Sequence, residues 1–221
     1  MTRLFMTLSL AVASLSLGTA AAQAPQDAQD MHRLHNDPMS YIKALDDPAR
    51  DAYQKPHEVI EALAVKTGEV IADIGSGSGY FTLRLAQHVG ATGHVYGVDV
   101  SSEMVRHLSE RIRDAGLLNV STILARPDDP LLPQSVDRFL ICDVWHHIED
   151  QAGYLAKIKA RLKPGGQVVM IDFHKRDLPV GPPAEVKIAR EDLVAQMQAH
   201  GFRLLREHTF LPYQYFLVFG I

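Results

Sequence analysis

Short apolar segments alternate with amphipathic helical patterns from about residue 56 onward, and this alternation constrains the fold most. Val70–Ile74 is the first such segment. It is too short for a helix and rich in branched residues, which is typical of a buried strand. Four further strands are predicted at His94–Val100, Val120–Ala125, Phe139–Val144 and Gln167–Phe173. Strands that alternate with helices build βαβ units, so the sequence predicts an α/β fold with a mainly parallel sheet.

The predicted helices carry apolar residues at helical spacing. They are marked by Val59, Ile60 and Leu63, by Phe81, Leu85 and Val89, by Met104, Val105, Leu108 and Ile112, by Tyr154, Leu155, Ile158 and Leu162, and by Leu193–Ala199. Two further apolar segments, Phe202–Leu211 and Tyr215–Phe219, lie on either side of Pro212. We predict that these two segments form an antiparallel pair, so that the sheet ends in a β-hairpin.

The first residues have the three-part layout of a secretory signal peptide. Arg3 gives a positive start, Leu4–Leu17 is an apolar run, and small residues follow, with Ala22 favoured over Ala24 as the cleavage point. The run is too short for a transmembrane helix. A buried N-terminal helix is the alternative. The sequence thus predicts a signal peptide at residues 1–22, export to the periplasm or medium, and no membrane span after its removal.

Length and charge narrow the remaining possibilities. The 221 residues suit one domain, for which we predict residues 56–221, preceded by a polar, proline-broken lid segment at 23–55. The long loop His174–Ala189 is a second candidate for a lid. A net charge of −4 argues against a nucleic-acid partner. The single cysteine, Cys142, excludes an intrachain disulfide and a multi-cysteine zinc site, and we predict no metal. The oligomeric state stays open.

The strongest chemical signal lies where the first strand meets the first helix. Gly75, Gly77 and Gly79 allow a sharp turn and let a ligand approach without meeting a Cβ atom. The N–H groups at the start of the next helix face this turn. Asp73, at the end of the strand, can accept hydrogen bonds from an ammonium group. The dinucleotide fingerprint requires glycine or alanine at position 80, where this chain has Tyr80, so a nicotinamide cofactor is disfavoured.

Polar side chains also follow the next three predicted strands. Asp99 ends the second strand, 20 residues beyond Gly79, where a carboxylate can hold both ribose hydroxyls of a nucleoside or cap the following helix. Asp128 follows the third strand, where it either meets the exocyclic amine of a base or lies in a solvated turn. The segment from Asp143 to His146 follows the fourth strand, at the sheet edge where open parallel sheets bind ligands.

Together these motifs resemble those of the class I S-adenosylmethionine-dependent methyltransferases, and especially the ubiquinone/menaquinone-pathway group. The resemblance rests on Asp73–Gly79, Asp99, the segment Asp143-Val-Trp-His-His147, and Leu162-Lys-Pro-Gly-Gly166 before a strand. It implies a Rossmann-like, doubly wound, mainly parallel sheet of seven strands whose last strand is antiparallel. It also implies S-adenosylmethionine as the cofactor.

The resemblance further implies roles for individual residues. The cofactor-binding residues would be Asp73, Gly75, Ser76, Gly77, Gly79, Asp99, Val100, Asp128 and Asp143. In this arrangement the glycine turn holds the methionine end, Asp99 the ribose and the Asp128 loop the adenine. The chain departs from the family at Leu124-Ala125-Arg126-Pro127, where many members have Gly-Asp. It also lacks the Asn/Asp-Pro-Pro-aromatic motif of enzymes that methylate amino groups of DNA and protein, which weighs against those substrates.

Methyl transfer asks an enzyme mainly to align the reactants and exclude water. A base is required only where the acceptor must lose a proton. His146, with an ordinary pKa near 6.5, is the candidate base, and Asp143 is the second candidate catalytic residue beside the methyl group. Alternatively, one of His146 and His147 packs in the core while the other caps a helix. We predict a small or lipid-like acceptor. A non-catalytic exported binder and a nicotinamide-dependent oxidoreductase are the alternatives.

Overall fold

The computed structural model describes residues 37–221. The predicted signal peptide at 1–22 and residues 23–36 of the predicted lid segment lie outside the described residues. Within the described part of the chain, no helix combines the length and the apolar character needed to cross a membrane.

The described elements follow the predicted alternation closely. The helices are α1 (Pro38–Leu45), α2 (Asp51–Gln54), α3 (Pro56–Leu63), α4 (Thr82–Val89), α5 (Ser102–Asp114), α6 (Gln151–Arg161) and α7 (Arg190–Ala199), with 3₁₀ turns at Pro48–Arg50 and Trp145–His147. The strands are β1 (Val70–Ile74), β2 (His94–Asp99), β3 (Val120–Leu124), β4 (Val136–Cys142), β5 (Leu162–Phe173), β6 (Arg203–His208) and β7 (Gln214–Gly220).

The seven strands form one sheet in the order β3-β2-β1-β4-β5-β7-β6. The pairs β1–β2, β1–β4, β2–β3 and β4–β5 are parallel, whereas β7 is antiparallel to both β5 and β6. The predicted Rossmann-like fold with an antiparallel last strand is therefore confirmed. The strand order reverses at β1, whose neighbours are β2 and β4. In open α/β sheets, the crevice at such a reversal, outside the carboxyl ends of the strands, is where ligands bind.

Both faces of the sheet are covered, which explains why its central strands are apolar throughout. On one face, Phe139 and Ile141 of β4 pack in a cluster with Trp145 and with Leu155 of α6. On the other face, Leu140 belongs to a cluster built with α3 and α4. The two clusters fix the sheet between helical layers, so that its carboxyl edge carries the loops.

Several boundaries of the predicted strands were wrong, among them those of β4, the start of β5 and the end of β6, which stops at His208 rather than Leu211. Strand β4 runs from Val136 to Cys142 rather than over Phe139–Val144, because Val136 is fully buried and pairs with Leu162 of β5. Asp143 leaves the strand with a φ of +59°, a left-handed conformation. Leu162, predicted as the last apolar residue of a helix, is the first residue of β5.

Candidate functional site

The turn after β1 is held by hydrogen bonds to the neighbouring strand. The N–H groups of Gly75 and Ser76 both donate to the carbonyl oxygen of Val98, at 2.8 and 3.0 Å. The N–H of Gly77 donates to a carboxylate oxygen of Asp99 at 2.9 Å. These three N–H groups are thus engaged within the protein.

The glycines of this turn also permit close packing. A Cβ atom at Gly75 would lie 2.2 Å from a methyl carbon of Val144, and one at Gly79 would lie 2.3 Å from a methyl carbon of Leu108. Both glycines have positive φ angles of +68° and +88°. Conformation and packing therefore each require glycine here, in addition to any need for a ligand to approach.

Asp73 is a buried carboxyl group beneath the turn. It accepts a hydrogen bond from the Thr82 hydroxyl at 2.6 Å. Burial raises the pKa of Asp73 to about 7, although the Thr82 hydrogen bond acts in the opposite direction. A buried carboxyl with a raised pKa beside a crevice is a favourable partner for a cationic group that would replace its lost solvation.

The other predicted cofactor residues lie at three different degrees of exposure. The carboxylate of Asp99 reaches Gly77 and also accepts the N–H of Ser101, the N-cap residue of α5, at 2.9 Å, so it lies between the turn and the start of that helix. Val100 is 60% exposed, an open apolar surface beside that carboxylate. The Asp128 side chain is 69% exposed and lies 3.6 Å from Arg126. The structure thus brings Asp99 to the turn and leaves Asp128 in a solvated loop.

Asp143 projects from the end of β4 into a network of polar side chains. One of its carboxylate oxygens accepts a hydrogen bond from Gln214 at 2.6 Å, and the other lies 3.9 Å from the Arg50 guanidinium. Burial and the nearby charge of Asp172 raise the pKa of Asp143 to about 6. Left-handed backbone at a non-glycine residue is strained, and such strain is characteristic of functional sites.

His146 forms a buried pair with Asp172, a residue that the sequence analysis missed. Its Nδ1 atom lies 2.9 and 3.1 Å from the two carboxylate oxygens, and the side chains are only 3% and 2% exposed. Burial lowers the pKa of His146, but the hydrogen bond and charge of Asp172 outweigh it and leave the pKa raised. Asp172 lies near the end of a predicted strand, as Asp73 does. This position is the signal from which the sequence could have identified Asp172 as a site residue.

The neighbours of His146 have other roles. Trp145 is fully buried in the core and donates a hydrogen bond from Nε1 to Gln196 at 2.9 Å. His147 is exposed, with its ring centre 4.2 Å from that of His146. Trp145 is therefore a core residue, whereas His146 belongs to the polar network.

Residues 37–55, here called the N-terminal segment, cover the crevice, and the sequence analysis did not identify their individual contacts. Leu45 lies against Gly77, 3.0 Å from where its Cβ would be. Further contacts of the segment are Asp46 with Arg111, Arg50 with Asp143, Asp51 with Tyr80, and Gln54 with Gln214 and Cys142. Gln54 is fully buried, so the end of the segment is part of the protein body.

The residues of the crevice fit the amino-acid end of S-adenosylmethionine. The hydroxyl oxygens of Ser76 and Ser78 are buried without a hydrogen-bond partner among residues 37–221. Buried polar atoms of this kind are rare unless a ligand or water satisfies them. Asp73 and Asp143 supply carboxyl groups for an ammonium, and the Asp99 carboxylate lies beside the turn for a ribose.

Comparison with known proteins agrees with this geometry. The family model described as "Methyltransferase domain" matches residues 65–207. Two relatives are the demethylmenaquinone methyltransferase of Listeria welshimeri (28% identity, 55% of this chain and 52% of the relative) and the ubiquinone/menaquinone biosynthesis C-methyltransferase of Proteus mirabilis (30%, 52% and 47%). The chain thus spans about half the length of these relatives, and the predicted resemblance to the ubiquinone/menaquinone group is confirmed.

Solved structures show the same fold. An S-adenosylmethionine-dependent methyltransferase from Aquifex aeolicus superposes with a TM-score of 0.77 at 28% identity, over 83% of this chain and 97% of that one. Magnesium protoporphyrin IX methyltransferase of Synechocystis, solved with bound S-adenosylhomocysteine, gives a TM-score of 0.63 at 17% identity, over 87% and 99% of the two chains. Because the family model covers most of the chain and the fold agrees, the chain belongs to the methyltransferase domain family, the S-adenosylmethionine-dependent methyltransferases.

Proposed function

We propose that this chain transfers the methyl group of S-adenosylmethionine to a small or lipid-like acceptor whose reacting group must lose a proton. The observation that carries the proposal is the buried pair of His146 and Asp172 at the carboxyl edge of the sheet. A methyltransferase that only aligned an already nucleophilic acceptor would not need such a pair.

The pair has the arrangement of a positioned general base. A carboxylate only accepts hydrogen bonds, so Nδ1 of His146 carries the hydrogen that points to Asp172. In the neutral imidazole, Nε2 then holds the lone pair and can take a proton from the acceptor. The Asp172 carboxylate stabilises the imidazolium that results, so Asp172 is a positioning residue and His146 is the catalytic base.

The remaining residues hold the cofactor in this proposal. When bound, S-adenosylmethionine supplies an electrophilic methyl group on a sulfonium. Asp73 and Asp143 bind the ammonium of its methionine part, Asp99 binds the ribose hydroxyls, and Val100 lines the adenine site. The N-terminal segment excludes water, which favours displacement by the acceptor rather than by solvent.

Two observations support a lipid-like acceptor. The relatives at 28 and 30% identity are named for quinone-pathway methyl transfer, although the match spans about half of their length. The ring centre of Tyr53 lies 6.2 Å from that of Phe173, the residue that follows Asp172, and 6.3 Å from that of Tyr213, so the three form an aromatic cluster. The predicted signal peptide supports an acceptor outside the cytoplasm, and export is part of this proposal.

The test is to incubate the purified chain with methyl-labelled S-adenosylmethionine and an envelope extract. We expect the label in a small, organic-soluble product, which mass spectrometry can identify, and at least about 100-fold slower labelling of that product with His146→Gln. Label in nucleic acid or protein would contradict the acceptor class. Binding of S-adenosylmethionine without any labelled product in extracts would instead favour the non-catalytic binder.

A further inference from the structure

Arg50 is a buried cation that has few close partners. Its side chain is 12% exposed, one terminal nitrogen lies 3.9 Å from an Asp143 oxygen, and the other lies 3.4 Å from the carbonyl oxygen of Leu45. Within residues 37–221 these are the one ion pair and the one hydrogen bond of the side chain. A guanidinium carries five N–H donors, and the hydrogen bond to Leu45 uses one of them. The guanidinium is therefore short of acceptors.

Arg50 lies at the glycine turn. Its guanidinium carbon is 4.2 Å from the ring centre of Tyr80, the residue that follows the turn. Burial raises the pKa of Asp73 and of Asp143, and the positive charge of Arg50 opposes that rise at both. The guanidinium is thus within electrostatic reach of both carboxyl groups of the crevice.

The other two arginines near the turn have close partners. Arg111 donates to Asp46 at 2.7 Å and to the carbonyl oxygen of Ser78 at 2.8 Å. Arg84 lies 4.4 Å from the same Tyr80 ring, donates to the Tyr80 carbonyl at 2.5 Å and is 37% exposed. Of these three arginines, Arg50 is the one that is both buried at the turn and short of acceptors.

We propose that Arg50 binds the carboxylate of the methionine part of S-adenosylmethionine. This inference rests on the proposed function, in which Asp73 and Asp143 take the ammonium of the same group. A planar guanidinium forms two parallel hydrogen bonds with a carboxylate, which suits a buried site. The N-terminal segment then forms part of the cofactor site, and the bound cofactor holds that segment against the turn.

The test compares two ligands that differ only in the carboxylate. Calorimetry measures the affinity of the wild type, Arg50→Gln and Arg84→Gln for S-adenosylhomocysteine and for its decarboxylated analogue. We expect Arg50→Gln to weaken S-adenosylhomocysteine binding by about 10- to 100-fold, which is typical of a lost hydrogen bond to a charged group, and to leave the analogue unchanged. Arg84→Gln changes the second arginine that lies over the Tyr80 ring, so it is the matched control and should change neither affinity.

Thermal unfolding establishes that each variant is folded. If Arg50→Gln does not fold, Arg50→Lys retains the charge without the planar fork and should still bind S-adenosylhomocysteine more weakly while binding the analogue as the wild type does. An equal loss for both ligands would overturn the role of Arg50 while the proposed function stands. A wild-type protein that binds neither ligand would overturn the proposed function, and this inference with it.

Discussion

The two halves of the crevice are built in different ways. The cofactor half consists of the turn at 75–79 with Asp73 and Asp99, on the adjacent strands β1 and β2, and backbone N–H groups make many of its hydrogen bonds. The acceptor half joins side chains from distant parts of the chain. Its members are Gln54, His146, Asp172 and Gln214, while Arg50 and Asp143 lie between the two halves and also face the cofactor.

Cofactor affinity and catalytic rate therefore depend on different parts of the sequence. The shape of a turn between a strand and the following helix is set by local sequence, whereas a network of side chains depends on the packing of four separate segments. Substitutions in the cofactor half are therefore expected to lower the affinity for S-adenosylmethionine. The acceptor half is expected to lose catalytic rate while its cofactor affinity stays intact.

The largest expected effect is that of His146→Gln. Removal of a general base typically lowers kcat by about 100- to 10,000-fold, and we expect that loss for the labelled product, with the affinity for S-adenosylhomocysteine unchanged. The measurement is steady-state kinetics on the product found in the extract, together with calorimetric binding.

His147→Gln is the matched control, since it changes the adjacent exposed histidine. It should leave the rate within about twofold, as surface substitutions usually do. A His146→Gln variant that retained wild-type kcat would show that the acceptor half contains no base, and the buried pair with Asp172 would then be structural.

Asp99→Ala tests the cofactor half. If the carboxylate is buried against the ribose, its loss should weaken cofactor binding by about 1–3 kcal/mol, while kcat at saturating cofactor changes little. Asp99 also accepts two backbone N–H groups, so the variant will be less stable, and binding has to be measured well below its melting temperature.

Asp137→Ala controls for that loss of stability. The Asp137 carboxylate accepts the backbone N–H of Val70 at 2.8 Å, at the opposite edge of the sheet. The Asp137→Ala variant should lose a similar amount of stability without weaker cofactor binding. Equal affinity for the cofactor in Asp99→Ala and wild type would refute the assignment of Asp99 to the ribose.

The sequence predicted the cofactor half better than the acceptor half for a physical reason. Asp73 and Asp99 each follow a strand whose apolar pattern is visible locally, so their meeting at one sheet edge follows from parallel topology. Asp172 ends a strand in the same way, but its pairing with His146 depends on a 3₁₀ turn that carries no local pattern. Arg50 lies on a segment whose position over the sheet is fixed only by tertiary contacts.

The strand errors have a related cause. The predicted start of β4 at Phe139 missed Val136, since Asp137 and Arg138 interrupt the apolar run. In the fold, Asp137 pairs with Lys163 at 2.8 Å and Arg138 with Gln167 at 2.6 Å, so these polar residues are satisfied within the sheet edge. Such partners come from another strand and are invisible to periodicity.

The smallest expected effect is the pH dependence of cofactor binding. Burial raises the pKa of Asp73 to about 7 and that of Asp143 to about 6, so near pH 6 both groups are largely or partly protonated in the free protein. A bound ammonium favours the ionised carboxyl groups and lowers both pKa values. Binding should therefore release protons, and affinity should rise between pH 6 and 8, by up to about tenfold through Asp73 and about twofold through Asp143.

Calorimetry in two buffers of different ionisation enthalpy measures the protons released. Asp73→Asn removes the group with the higher pKa and should abolish most of the release near pH 7, whereas Asp172→Asn, in the acceptor half, should leave most of it. The decarboxylated analogue retains the ammonium and should release protons as S-adenosylhomocysteine does, because Arg50 does not titrate in this range. Proton uptake instead of release would mean that the ammonium does not meet Asp73 or Asp143, and the amino-acid tail would have to lie elsewhere in the crevice.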